Sequence, residues 1–139
     1  MNHEGTKTRT NGDDAEARAD LIAREVVDAA YRIHSTLGPG LLESVYEACM
    51  AIELRKRGLS FATQVALPVT YEGETIQPAF RIDLLVDTKV VVELKAVEKL
   101  LPIHEAQLLT YLKLSSCRLG LLLNFNVVLI KHGIKRMKL

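Results

Sequence analysis

Apolar residues recur at helical spacing over the first part of the chain, give way to short β-branched runs, and return once to helical spacing. Ile22, Val26, Ala29 or Ala30, Ile33 and Leu37 predict one face of a helix. Asp13 or Asp14 is placed to cap its start, and Gly38-Pro39-Gly40 ends it. A second helix is expected from about Leu42 to Arg57, closed by Gly58. Its core stripe reads as Leu42, Val45, Cys49 and Ile52. Glu43, Tyr46, Glu47 and Met50 form a neighbouring face.

The pattern then turns to strands. Val65–Tyr71 reads as one, with Pro68 arguing for an edge position or a bulge. Glu72-Gly73 is a turn, and Glu74–Gln77 returns as a short strand. Phe80–Val86 and Val90–Lys95, joined by Asp87-Thr88-Lys89, read as an antiparallel hairpin. A third helix is expected from Pro102 or Ile103 to Leu114, with proline at a tolerated first position. Leu119–Leu123 is a buried strand by composition, and Val127–Ile130 reads as another. Gly133 turns the chain into Ile134–Met137. The order predicts an α/β fold with a mixed sheet. Residues 1–14 are polar without apolar periodicity and predict a disordered tail, leaving 15–139 as a single domain.

Charge inside the apolar hairpin is the chemical signal. Glu93 and Lys95 interrupt a β-branched run at alternate positions, so they project to one side. Buried charge is costly unless it is paired or holds a metal. With a three-residue loop, Val86 pairs with Val90, Leu85 with Val91, and Asp83 with Glu93. Opposed side chains of this kind lie roughly 4.5–5.5 Å apart at Cβ. A two-residue loop would instead put Asp83 opposite Val92. Two carboxylates that close repel unless a divalent cation lies between them, and oxygen ligation suits Mg²⁺ or Mn²⁺ rather than Zn²⁺. Taken alone, the same residues fit a surface-facing strand with a cross-strand ion pair equally well.

Asp83 followed by Glu93-x-Lys95 on the next strand resembles the PD-(D/E)XK phosphodiesterase superfamily. Gly40-Leu-Leu-Glu43-Ser-Val-Tyr46 matches the G-x-x-E-x-x-Y signature of one bacterial and archaeal branch of it. The segments Leu101 to Lys113, Gly120 to Asn126 and Lys131 to Arg136 are similar to that family too. The resemblance therefore runs from about Asp20 to Arg136. It implies a restriction-endonuclease-like core, a mixed sheet flanked by helices, and metal-dependent cleavage of DNA or RNA. On this resemblance Asp83, Glu93 and the backbone carbonyl of Leu94 hold Mg²⁺ or Mn²⁺, and Glu43 completes the shell. Lys95 positions a water or stabilises charge on the phosphorane. Gln107 and Tyr111, one helical turn apart, resemble a Q-x-x-x-Y pattern in RecB-like and phage-exonuclease-like branches. It assigns Gln107 to the active site and Gln107, Tyr111 and Lys95 to nucleic-acid contact. For Tyr46 a core aromatic with a bonded hydroxyl is the simpler reading.

Composition changes this picture little. The 139 residues suit one domain, and 48% hydrophobic residues suffice for a core. A net charge of +1 offers no global attraction for nucleic acid. Arg55-Lys56-Arg57 and the C-terminal Lys131, Lys135, Arg136 and Lys138 fit a solvated helix end and a soluble tail as well as phosphate contact. Cys49 and Cys117 fit no zinc spacing and read as reduced core thiols. His34 reads as a partly exposed helix residue, and His104 as a partner in a helix-start hydrogen bond. The chain opens with no signal-peptide pattern and holds no membrane-spanning run, which predicts a cytoplasmic protein. Two readings stay open beside the nuclease: a catalytically silent nucleic-acid- or protein-binding module, and a structural subunit that forms a homodimer or binds a partner protein.

Overall fold

Two strands covered on both faces form the centre of the sheet. In the computed structural model, which describes residues 11–139, Val90–Lys95 (β3) and Leu119–Asn124 (β4) are buried almost throughout. Such runs belong to strands covered on both faces. They run parallel, from Val90↔Leu119 to Lys95↔Asn124. A parallel pair needs a long crossover, supplied by the helix Pro102–Ser115 (α3). Antiparallel neighbours extend the sheet on either side. Glu74–Val86 (β2) joins β3, Phe61–Tyr71 (β1) joins β2, and Ile134–Lys138 (β5) joins β4. The order is β1-β2-β3-β4-β5.

Asn11–Leu37 (α1) and Glu43–Lys56 (α2) cover one face, and α3 covers the other. Ile22, Val26, Ile33, Met50 and Leu54 pack against Val90, Val92, Leu121 and Leu123. Across the sheet, Leu108 and Leu112 meet Ile82, Val91 and Leu122. Gly120 lets α3 sit close: a Cβ there would lie 2.9 Å from the Leu108 side chain. This is the expected α/β class, and Pro68 falls at an irregularity of edge strand β1, as its sequence position suggests.

Several local expectations are corrected. The core stripe of α2 is not Leu42, Val45, Cys49 and Ile52: Leu42 is 74% exposed and Ile52 49%. The neighbouring face goes inward instead, with Tyr46, Met50 and Leu54 fully buried. The reason is Tyr46. Its ring stacks on Phe125 at 4.4 Å, and its hydroxyl donates to Gly38 O at 2.7 Å and accepts from Leu41 N–H at 3.1 Å. One aromatic anchored at three points outweighs a stripe of smaller side chains. Helix α1 already includes Asn11 to Asp14, so Asp13 and Asp14 lie within its first turn rather than before it. Carboxylates are favourable there against the helix dipole. The expected tail otherwise falls on residues 1–10, outside the described residues.

Val127–Ile130 is not a strand. Asn126 N–H donates to the Asn124 side chain, and the Val127 carbonyl is taken by His34 Nε2 at 2.7 Å, so this stretch leaves the ladder. His34 is accordingly buried rather than partly exposed. Glu74–Gln77 is the start of one long β2 rather than a separate strand. Of the basic clusters, Arg57 is tied to Glu25, Asp28 and Glu53, and Lys135, Arg136 and Lys138 pair with Glu105, Asp20 and Glu16. Among the described residues no helix is long and apolar enough to cross a membrane.

Candidate metal centre

The β2–β3 ladder begins in the register that a three-residue loop demands: Val86↔Val90, Leu85↔Val91, Leu84↔Val92. It stops one pair short of Asp83 and Glu93. There the two side chains take over from the backbone. Asp83 N–H donates to Glu93 Oε2 at 3.0 Å, and Leu94 N–H donates to Asp83 Oδ2 at 2.9 Å. The Asp83 carboxylate thus satisfies the Leu94 amide that the ended ladder would leave bare, and the Glu93 carboxylate satisfies the Asp83 amide. The sheet opens at this point, at the far end of β3 from the hairpin loop, where the first turn of α2 also arrives.

The electrostatics show how tightly the charges are gathered. Glu93 is only 5% exposed. Burial, then the Asp83 carboxylate, push its pKa from 4.5 to about 8; the Asp83 amide and Lys95 pull the other way, and Glu43 adds a further push. Glu43, in the first turn of α2, is raised by burial and then by Asp83. Lys95 and the Ala96 N–H partly offset this. Tyr111 is raised by burial and then by the charges of Glu93 and Asp83, which places it beside the pair. Its ring stacks on Phe80 at 4.8 Å. Lys95, half-buried at the end of β3, makes no ion pair with any described carboxylate. Gln107 lies one turn before Tyr111 on α3, exposed, and its side chain has no hydrogen-bond partner among the described residues. His104 Nδ1 accepts from Leu101 N–H at the start of α3, the expected local role.

Two side chains at this site are not singled out by the sequence pattern. Glu47 lies one helical turn beyond Glu43. Gln64, on β1, donates through Nε2 to Glu47 Oε1 at 2.7 Å and to Asp83 Oδ1 at 3.4 Å. The i, i+4 spacing of Glu43 and Glu47 is a signal for the first; Gln64 carries none, because its place depends on strand pairing.

Glu43, Asp83 and Glu93 gather around one lysine, and this oxygen-rich, negatively charged set fits a hard divalent cation. Among the described residues no three acidic, histidine or cysteine side chains are drawn together tightly enough to enclose an ion as they stand. Closure on a cation therefore requires side-chain rotation. The Glu93 shift has a measurable sign. A folded-state pKa raised from 4.5 to about 8 means the folded protein holds a proton that the unfolded chain releases. Stability with cations chelated is therefore expected to fall as pH rises from about 4.5 to 8. Urea unfolding across this range checks it: Glu93→Gln should flatten the decline, and so should saturating Mg²⁺. Equal slopes for wild type and Glu93→Gln would show that Glu93 ionises normally.

Residues 20–137 match the family model described as the PD-(D/E)XK nuclease superfamily. No curated protein and no solved structure matches the chain.

Proposed function

We propose, on the premise that the chain belongs to the PD-(D/E)XK nuclease superfamily, that it hydrolyses phosphodiester bonds of DNA or RNA with Mg²⁺ or Mn²⁺. The G-x-x-E-x-x-Y segment, with Glu43 at the site and Tyr46 fixing its helix, supports the branch of that name. The observation that carries the reading is the gathering of Glu43, Asp83 and the buried Glu93 about Lys95 where the ladder ends. Asp83, Glu93 and Glu43 would hold the cation. The Leu94 carbonyl suits a fourth position: backbone N–H and C=O of one strand residue point the same way, and Leu94 N–H points at Asp83. A bound cation supplies charge at a phosphoryl oxygen and lowers the pKa of water. Lys95, free of ion pairs among the described residues, orients the attacking water or holds negative charge on the phosphorane. Tyr111 and Gln107 line α3 beside the carboxylates and contact the nucleic acid.

The test is cleavage of labelled single- and double-stranded DNA and RNA with Mg²⁺ or Mn²⁺. Cleavage that EDTA stops and that Lys95→Ala slows by about 10²–10³ is expected. Cation-dependent cleavage at full rate by Lys95→Ala would sink the assigned role of that residue, and no cleavage of any substrate would sink the nuclease reading. One observation favours a silent binding module instead: Asp83 and Glu93 already bond backbone amides, and no three ligands converge. Tight nucleic-acid binding without turnover in Mn²⁺ would select it.

A further inference from the structure

We propose that Gln64 is a positioning residue, which sets the Asp83 carboxylate for cation binding. The inference rests on the cation-dependent reading above. A regular strand keeps residues i and i+2 on one face. Strand β1 breaks this rule at Gln64: Phe61 packs toward α1 and α2, whereas Val65 and Leu67 pack toward α3. Strand β2 breaks it at Asp83, with Leu84 and Val86 on the first face and Ile82 on the second. The register holds Thr63↔Leu84 and Val65↔Ile82, and the rung between them, Gln64 with Asp83, is missing. Gln64 itself has φ 51, a left-handed conformation unfavourable for any residue but glycine.

This one irregular residue acts on Asp83 in two ways. The missing rung leaves Asp83 N–H for Glu93 Oε2. The Gln64 amide then reaches Asp83 Oδ1 and Glu47 Oε1 with the two hydrogens of its NH₂ group, the only end of the side chain that suits two carboxylates. With Leu94 N–H on Oδ2, both Asp83 oxygens have a fixed donor. Gln64 thereby ties edge strand β1 and helix α2 to the carboxylate between them.

Gln64→Gly tests this in the full chain, since glycine accepts the left-handed backbone and removes the exposed side chain with its amide. Gln64→Glu is the second variant: it keeps the length and the backbone demand but cannot donate as a carboxylate. Two readouts are taken: amide hydrogen exchange of Asp83 and Leu94 with cations chelated, and calorimetric titration with Mg²⁺. In both variants exchange at Leu94 should quicken several-fold relative to Val91 and Leu121. Mg²⁺ affinity should fall about tenfold, as for the loss of a residue that orients a metal ligand. The urea midpoint of Gln64→Gly should not fall. Unchanged exchange at Leu94 in the folded variants would overturn the proposal. If the wild type binds no Mg²⁺, the cation reading fails by itself, and the exchange measurement alone still decides the role of Gln64.

Discussion

Asp83→Asn is expected to abolish cation-dependent cleavage, a loss on the order of a thousandfold or more, in a protein that stays folded. The asparagine carbonyl can still accept the Leu94 N–H that Oδ2 holds at 2.9 Å, so the end of β3 keeps its partner. What disappears is the negative charge, and with it the oxygen pair facing Glu93 and Glu43. The pKa of Glu93 should drop from about 8 in the variant, because the Asp83 charge is its second-largest cause. Asp83→Ala is the harsher change. It strands the Leu94 N–H on a residue that is 1% exposed, at a cost of about 1–3 kcal/mol. Comparing the two separates chemistry from folding: both should lose cleavage and Mg²⁺ heat, and only the alanine variant should lose stability. Cleavage by pure Asp83→Asn at the wild-type rate would remove Asp83 from the site.

Gly133→Ala should be the most damaging small substitution for the fold. A Cβ at Gly133 would stand 2.1 Å from the backbone oxygen of Asn124, and neither atom belongs to a flexible side chain. Asn124 closes β4 and fastens the segment after β3: its amide accepts from Val97 N–H at 3.0 Å and donates to Val97 O at 2.9 Å. Moving Asn124 to relieve the clash therefore pulls on the chain just beyond Lys95. A loss of about 3 kcal/mol or more follows, or a drop of about 10 °C in Tm by calorimetry. Gly120→Ala is the internal comparison, since its new Cβ meets side chains, those of Leu108 and Leu112, and no backbone. A Gly133→Ala protein as stable as Gly120→Ala would contradict the geometry.

Loop length made the hairpin readable from residues alone. Asp87-Thr88-Lys89 fixes the register from Val86↔Val90 to Leu84↔Val92; the expected Asp83–Glu93 pair is not part of that ladder, and the two residues meet through the Asp83 N–H and the Glu93 carboxylate instead. Glu43 followed from a motif, and the burial of Tyr46 with a bonded hydroxyl from its chemistry. Sequence pattern and structure part where two local patterns compete and distant contacts choose between them. Helix α2 offers two apolar faces, and Phe125, more than seventy residues away in sequence, selects the one with Tyr46. Val127–Ile130 has strand composition, but His34 takes the Val127 carbonyl and Asn124 takes the Asn126 amide just before it, so the stretch leaves the ladder. Gln64 was beyond reach because a glutamine in a β-rich run gives no sign of a left-handed backbone. That conformation becomes intelligible only once Asp83 and Glu47 are placed on either side of it.

The substitution of side chains for ladder hydrogen bonds also bears on how silent copies of this fold would look. Asp83 and Glu93 cap amides that would otherwise be bare, so a descendant that had lost all chemistry would still be held to an acidic or amide side chain at each place. The acidic pair is thus a mark of architecture before it is a mark of catalysis. Lys95 is different: among the described residues it closes no ion pair and its ammonium supports no backbone group, so its charge acts on the fold only by easing the burial of Glu93 and Glu43. On the nuclease reading, Lys95 rather than the acidic pair is therefore the residue whose loss would mark a scaffold that no longer works.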